Sequence, residues 1–317
     1  MILFWFYCRY SNICNVYPQY YLLNFFESNV TILSGDDIMF TYSAFADEIS
    51  PELKIQISEL KKYGINHIEA RGIDGKNISE YTPSQAREVK KVLDDNGFKL
   101  SALGSPIGKI QITDDFTPDL DSFKNLLELA DIFETKYIRM FSFYMDLSKA
   151  EEYRDEVLAR WTKYIDAAKG SGIILLHENE KGIYGDKAAR CRDLLETLNC
   201  PYVRATFDPA NFVQCKQDTL EAYDLLSDYI EYVHIKDAIW ETGDVVPFGM
   251  GDGNAAELIK RLSAKNKDMF LSFEPHLGDF QGFADLEEET VVKKEASGPE
   301  KFKIAYDAAE KIVKGEK

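Results

Sequence analysis

The chain has 317 residues, with 37 basic and 54 acidic side chains and a formal net charge of −17. Its length suits one large domain or two ordinary ones, and 45% apolar with 13% aromatic content excludes wholesale disorder. The acidic excess excludes nucleic acid as the main partner, because affinity for a polyanion comes from Lys and Arg that neutralise phosphates.

The first thirty residues hold ten aromatics and differ in composition from everything that follows. No basic segment precedes the apolar run and no A-x-A-like site follows it, so it is not a secretory signal. Arg9, Ser11, Asn12, Asn15, Gln19 and Asn24 interrupt it well short of the roughly 18 apolar residues of a membrane span. We expect residues 1–38 to be a misassigned or disordered leader, with translation starting at Met39. Gly35-Asp36-Asp37-Ile38 would be encoded by a purine-rich stretch resembling a ribosome-binding sequence. A genuine aromatic arm that packs on the domain or on a partner is the alternative.

From Met39 onward strand and helix alternate. Apolar runs of strand length are predicted at 39–46, 67–71, 98–102, 136–141, 172–178, 202–208, 231–236 and 269–274, as in a parallel sheet buried on both faces. Amphipathic helices are predicted at 51–63, 83–96, 119–135, 151–170, 187–198, 217–229, 255–266 and 299–314. Ser50-Pro51 reads as an N-cap followed by proline, and Gly64 closes that helix. Thr82-Pro83-Ser84-Gln85 reads as a capping box, and Gly97 closes the second helix. Leu53, Ile57 and Leu60 form one apolar stripe. Asn254 reads as an N-cap after the turn at Gly251-Asp252-Gly253.

Eight such units predict a (β/α)8 TIM barrel, with 39–317 as a single domain. The rival, an open doubly wound sheet, lacks a G-x-G-x-x-G after the first strand. The polar segment 276–298 reads either as a lid over the barrel mouth or as a solvated excursion. Five cysteines without a CxxC pair point to a reducing, cytoplasmic setting.

Working residues of such barrels sit at the C-terminal ends of strands. Strand five ends in Glu178, strand six in Asp208, strand seven carries His234, and strand eight ends in Glu274. Each carboxylate alone could be a helix cap or a solvated loop residue. Four in register read as a site for one divalent metal, with an oxygen-rich donor set that suits Mn²⁺ or Mg²⁺ and admits Fe²⁺, Co²⁺ or Zn²⁺.

The segments SAFADEIS (43–50), IEARGIDGKN (68–77), GSPIGKI (104–110), HENEKGIYGD (177–186), FDPANF (207–212), HIKDA (234–238) and FEPHLG (273–278) resemble those of the xylose isomerase-like TIM barrels. That family includes sugar phosphate isomerases and epimerases, and its superfamily includes apurinic endonucleases. The resemblance implies one metal ion, Mn²⁺ foremost, on Glu178, Asp208, His234 and Glu274. It also implies that Glu178 and Glu274 form the acid/base pair on opposite faces of a small carbohydrate substrate. The implied reaction is isomerisation or epimerisation, by removal of a proton beside a carbonyl and formation of a metal-stabilised enediolate. An inosose-type dehydratase or a lyase of oxidised glycosides shares that first step. A non-catalytic barrel that binds carbohydrate or serves as a partner subunit is the reading from another class.

The pattern departs from the superfamily at Asn211, where nucleases and epimerases usually carry histidine. The chain has only four histidines, too few for a three-zinc nuclease cluster. Residues expected around the substrate are Asn211, Lys236, Arg71, Lys109, Arg139 and His276. Arg71 and Arg139 also read as barrel-interior ion pairs, Arg71 with Glu69. Lys109 lies in G-x-x-x-G-K, one residue short of a P-loop and without its Ser/Thr, so no nucleotide site is expected. Asp47 and Glu48 read either as site residues or as caps of the first helix. His177 should face away from the barrel axis and His67 should lie at its far end, both structural. No membrane or nucleic-acid partner is expected, and a homo-oligomer is compatible with the chain.

Overall fold

The computed structural model describes residues 31–32, 39–277 and 297–315. Eight parallel strands form the barrel: β1 (Met39–Ala44), β2 (His67–Ala70), β3 (Lys99–Gly104), β4 (Tyr137–Met140), β5 (Ile174–Glu178), β6 (Val203–Phe207), β7 (Ile230–Ile235) and β8 (Met269–Phe273). Each pairs with the next, and β1 closes the ring by pairing with both β2 and β8. Eight main helices alternate with them: α1 (Leu53–Lys61), α2 (Pro83–Asp95), α3 (Thr117–Phe133), α4 (Ala150–Ala168), α5 (Ala188–Leu198), α6 (Thr219–Leu226), α7 (Ala255–Ser263) and α8 (Gly298–Val313).

Local chemistry accounts for most boundaries. At α2, Thr82 Oγ1 accepts the Gln85 amide while the Gln85 side chain accepts the Thr82 amide, with Pro83 inside the box. Gly64 and Gly97 take positive φ after their helices, a conformation that only glycine adopts without steric cost. Leu53, Ile57 and Leu60 are all buried, so the stripe on α1 packs inward.

Four expectations at boundaries need correction. Helix α1 starts at Leu53, because Ser50 Oγ accepts the Glu52 amide and Asp74 Oδ1 accepts the Leu53 amide. The cap therefore comes from Asp74, reaching back from the loop after β2. Asp47 and Glu48 bind Arg71 and do not cap α1. Asn254 occupies the N-cap position just before α7, in a left-handed conformation, but its side chain donates to Thr219 Oγ1 and does not cap the helix. The stretch predicted as one helix at 217–229 is shorter, and a separate six-residue helix, Pro209–Gln214, precedes it.

That short helix, the hairpin Gly72–Ile73/Lys76–Asn77 and the hairpin Asp237–Ala238/Val245–Val246 all lie in connections that follow strands. They elaborate the C-terminal end of the barrel. The leader 1–38, apart from a two-residue strand at 31–32, and most of the 276–298 segment lie outside the described residues. Among the described residues no helix is long and apolar enough to cross a membrane.

The core between sheet and helices is large and aromatic, with Phe123, Trp161, Tyr164, Tyr184 and Phe302 fully buried. Inside the barrel a second, smaller cluster of Ala102, Tyr137, Leu176 and Tyr232 fills the lower layer.

Candidate metal centre and substrate pocket

One strand period above that lower cluster, chemistry replaces packing. On β5 Leu176 gives way to Glu178, on β7 Tyr232 to His234, and on β4 Tyr137 to Arg139, because alternate side chains along a strand share a face. Glu178, Asp208, His234 and Glu274 each present one ligand atom within 4.8 Å of the others, and all four are buried. His234 Nδ1 lies 3.2 Å from Glu178 Oε1, 3.2 Å from Glu274 Oε2 and 3.6 Å from Asp208 Oδ2.

Asp208 divides its two oxygens. Oδ1 accepts the Asn211 amide and caps the short helix, while Oδ2 is buried without a hydrogen-bond partner. Glu178 Oε2 is likewise buried without one. Buried carboxylate oxygens that lack a hydrogen bond carry a desolvation cost, and a divalent cation would add to the compensation that the nearby Lys236 and Arg139 supply. The donor set therefore fits a hard or borderline metal ion.

Cations hold the carboxylates from outside. Lys236 Nζ lies 3.4 Å from Glu274 Oε2 and 3.5 Å from Asp208 Oδ2. Arg139 Nε lies 3.2 Å from Glu178 Oε2, and its Nη1 donates to the Ser105 carbonyl. Arg71 grips Asp47 through two nitrogens, at 2.8 and 3.2 Å, and also reaches Glu48 and Glu274. The expected pairing of Arg71 with Glu69 is not found. Glu69 points across the barrel to His234 and Arg139, whereas Arg71 follows the strand end and turns toward the loop after β1.

The environments of the two glutamates differ. Burial pushes the Glu178 carboxyl above its ordinary pKa, only partly opposed by His234 and Arg139. Burial also acts on Glu274, but Lys236, His276 and His234 outweigh it and hold that carboxyl well below the ordinary range. Burial disfavours protonated His234, yet Glu178, Glu69 and Glu274 around it overcome that and raise its pKa well above the ordinary value. In the polypeptide alone the imidazole thus serves as counter-ion to the carboxylates.

In front of this cluster lies an open pocket whose wall includes Arg71, Lys109, Arg139, Glu178, Glu180 and Glu274. Lys109 Nζ sits 4.5 Å from the Phe141 ring centroid and 3.3 Å from Glu180 Oε2. Burial alone would raise the Glu180 pKa, but Lys109, Lys181 and Lys236 lower it. Asn211 donates to Glu178 Oε1 at 3.3 Å and accepts from Lys236, so it joins two members of the site. His276 has a positive φ and contacts Arg71, Glu48 and Glu274.

Of the residues expected around the substrate, Arg71, Lys109 and Arg139 line the pocket. Asn211, Lys236 and His276 contact the carboxylates behind it. His177 is buried away from the site, where its Nε2 meets Ser142 Oγ at 2.9 Å and its ring stands edge-on to Trp161.

Sequence reasoning passed over three residues. Period-two alternation offers Glu69 only as a partner of Arg71, and Glu180, which stands beside Lys109, carries no motif of its own. Asp237 was also missed: it is buried and its carboxylate accepts the amides of Ala238, Gly249, Gly251 and Gly253. A Cβ at Gly251 or Gly253 would lie 2.5 Å from Asp237 Oδ1. The signal for it was present in the glycine spacing of GMGDG, which leaves amides free to converge on one acceptor.

The model of the family described as xylose isomerase-like TIM barrel matches residues 57–297. No curated protein sequence matches the chain. Among solved structures, an IolI protein with a bound zinc atom is similar at 15% identity, over 88% of this chain and 99% of that one, with a TM-score of 0.70. D-psicose 3-epimerase with D-tagatose from Clostridium cellulolyticum H10 is similar at 14% identity, over 86% and 99%, with a TM-score of 0.68. The probable 3-DHS dehydratase AsbF of petrobactin synthesis from Bacillus anthracis is similar at 18% identity, over 74% and 92%, with a TM-score of 0.61. At these identities the likeness to each structure is one of fold.

Proposed function

The chain belongs to the xylose isomerase-like TIM barrel family, and from that premise we propose that it is a divalent-metal-dependent isomerase or epimerase. Its substrate would be a sugar or a related polyhydroxy ketone, and the reaction a proton transfer at the carbon beside the carbonyl. The observation that supports this reading most is the meeting of Glu178, Asp208, His234 and Glu274, one from each of four consecutive strand ends, beside an open pocket. Those four residues would hold the ion, with Mn²⁺ the expected occupant and Mg²⁺, Co²⁺, Fe²⁺ or Zn²⁺ accommodated. Bound there, the ion would act as a Lewis acid toward the carbonyl oxygen, which acidifies the adjacent C–H.

The chain's own residues supply the rest. Glu178 and Glu274 both line the pocket, so one can take the proton while the other returns one. Lys236 and Arg71 approach different oxygens of Glu274, which fixes the carboxylate plane. Arg139 and Asn211 do the same for Glu178 from its two oxygens. Rigid carboxylates matter because proton transfer demands close, aligned donor and acceptor. Burial of the cluster keeps bulk water from competing for the substrate proton.

The test is solvent-deuterium incorporation by the metal-loaded protein across a panel of ketoses and inososes. Label should enter beside the carbonyl in wild-type reactions and be lost in Glu178→Gln and Glu274→Gln. Loss of a hydroxyl in place of an epimer would move the assignment to a dehydratase. Absence of label with every compound would leave the non-catalytic carbohydrate-binding barrel in its place, and equal labelling by the variants would remove the two glutamates from the reaction.

A further inference from the structure

We propose that Glu69 is the positioning residue of the metal centre: it accepts the Nε2 proton of His234 and so fixes which ring nitrogen the histidine presents to a cation. The inference rests on the proposed metal site and adds a residue to it from the opposite side of the barrel.

Four observations carry it. The imidazole of His234 faces carboxylates on both sides. Nδ1 points at Glu178, Asp208 and Glu274, while Nε2 lies 3.4 Å from Glu69 Oε1 and 3.3 Å from Glu69 Oε2, astride that carboxylate. Glu69 is fully buried on β2 and is not among the four residues whose ligand atoms converge. The ring cannot turn freely, because Phe45 and Tyr232 stand edge-on to it at 5.3 and 6.0 Å between centroids. Arg139 is shared between Glu69, at 3.7 Å, and Glu178, at 3.2 Å, which ties the outer carboxylate to an inner one.

The proton arithmetic then has one solution. A cation among the three inner carboxylates requires a bare lone pair on Nδ1. The neutral ring keeps a single proton, which must sit on Nε2, and Glu69 is the acceptor placed to receive it. A carboxylate behind a ligating histidine raises its basicity and locks its tautomer, and removing such a partner costs about 10- to 100-fold in metal affinity.

The experiment measures Zn²⁺ affinity by competition with a chromophoric chelator for the wild-type protein, Glu69→Gln and Glu69→Leu. It adds long-range ¹H–¹⁵N correlation spectra of the four histidines with and without Zn²⁺. Zn²⁺ should bind the wild type with one histidine ligated through Nδ1 and protonated at Nε2. Glu69→Leu should bind about 10- to 100-fold more weakly, and Glu69→Gln, which keeps a neutral acceptor, should fall between. Should the leucine variant fail to fold, the isosteric glutamine variant decides alone. Equal affinity in wild type and variants, or ligation of His234 through Nε2, overturns the role of Glu69 and leaves the metal site standing. A wild-type protein that binds no Zn²⁺ overturns both.

Discussion

The lower and upper layers of the barrel interior are built on the same strands, one period apart, yet they obey opposite rules. In the lower layer Tyr137, Leu176 and Tyr232 pack with Ala102, and hydroxyls pair across it: Ser43 with Ser101, and Ser101 with the Tyr232 hydroxyl. In the upper layer Arg139, Glu178 and His234 occupy the next inward positions, and Glu178 Oε2 and Asp208 Oδ2 are left without hydrogen-bond partners. Buried polar groups are normally satisfied because an unmet one costs about 1–3 kcal/mol. The lower layer is arranged for stability. The upper layer tolerates that cost, and such tolerance marks a place where a ligand is expected to complete the structure.

Substitutions two residues apart on β5 should separate the layers most sharply. Glu178→Gln should lower deuterium incorporation by at least about 100-fold, the scale of a lost general acid or base, and leave the unfolding midpoint in denaturant close to wild type. Leu176→Ala should do the reverse. It should destabilise the fold by about 2–5 kcal/mol, as expected for truncating a buried leucine, while folded protein retains its exchange rate. Equal behaviour of the two variants in both assays would dissolve the distinction.

A smaller effect comes from the far end of β2. Burial, aided by Lys99, lowers the His67 pKa to about 4, and its ring packs edge-on to Phe270. The unfolded chain therefore binds a proton below pH 6.5 that the folded chain refuses until about pH 4. Stability contributed by neutral His67 is present above that window and is lost as pH falls through it. A His67→Phe variant should lose less stability than wild type between pH 7 and pH 4.5, read as the shift in urea midpoint. An identical pH dependence would contradict this.

Much of the architecture was legible because it is written locally. Short apolar runs, the Thr82–Gln85 box and the glycines at 64 and 97 mark elements through nearest-neighbour chemistry. The ends of strands five to eight were legible for the same reason, since the residue that ends a buried strand is fixed by the length of the run. The contacts that complete the site were not. Glu69 meets His234 across 165 positions, and Arg71 turns to Asp47 and Glu48 instead of Glu69. Those partners depend on how the ring closes and how its strands stagger, which periodicity within one strand cannot convey. Asp74 capping α1 and Asp237 gathering the amides of the GMGDG turn are likewise long-range.

The central claim is that four strand ends hold one divalent ion. Metal analysis of protein purified without chelators, repeated for Asp208→Ala, addresses it most directly. The account predicts about one divalent ion per wild-type chain and a marked loss in the variant. Wild-type protein free of metal, or an equal metal content in both, would contradict it.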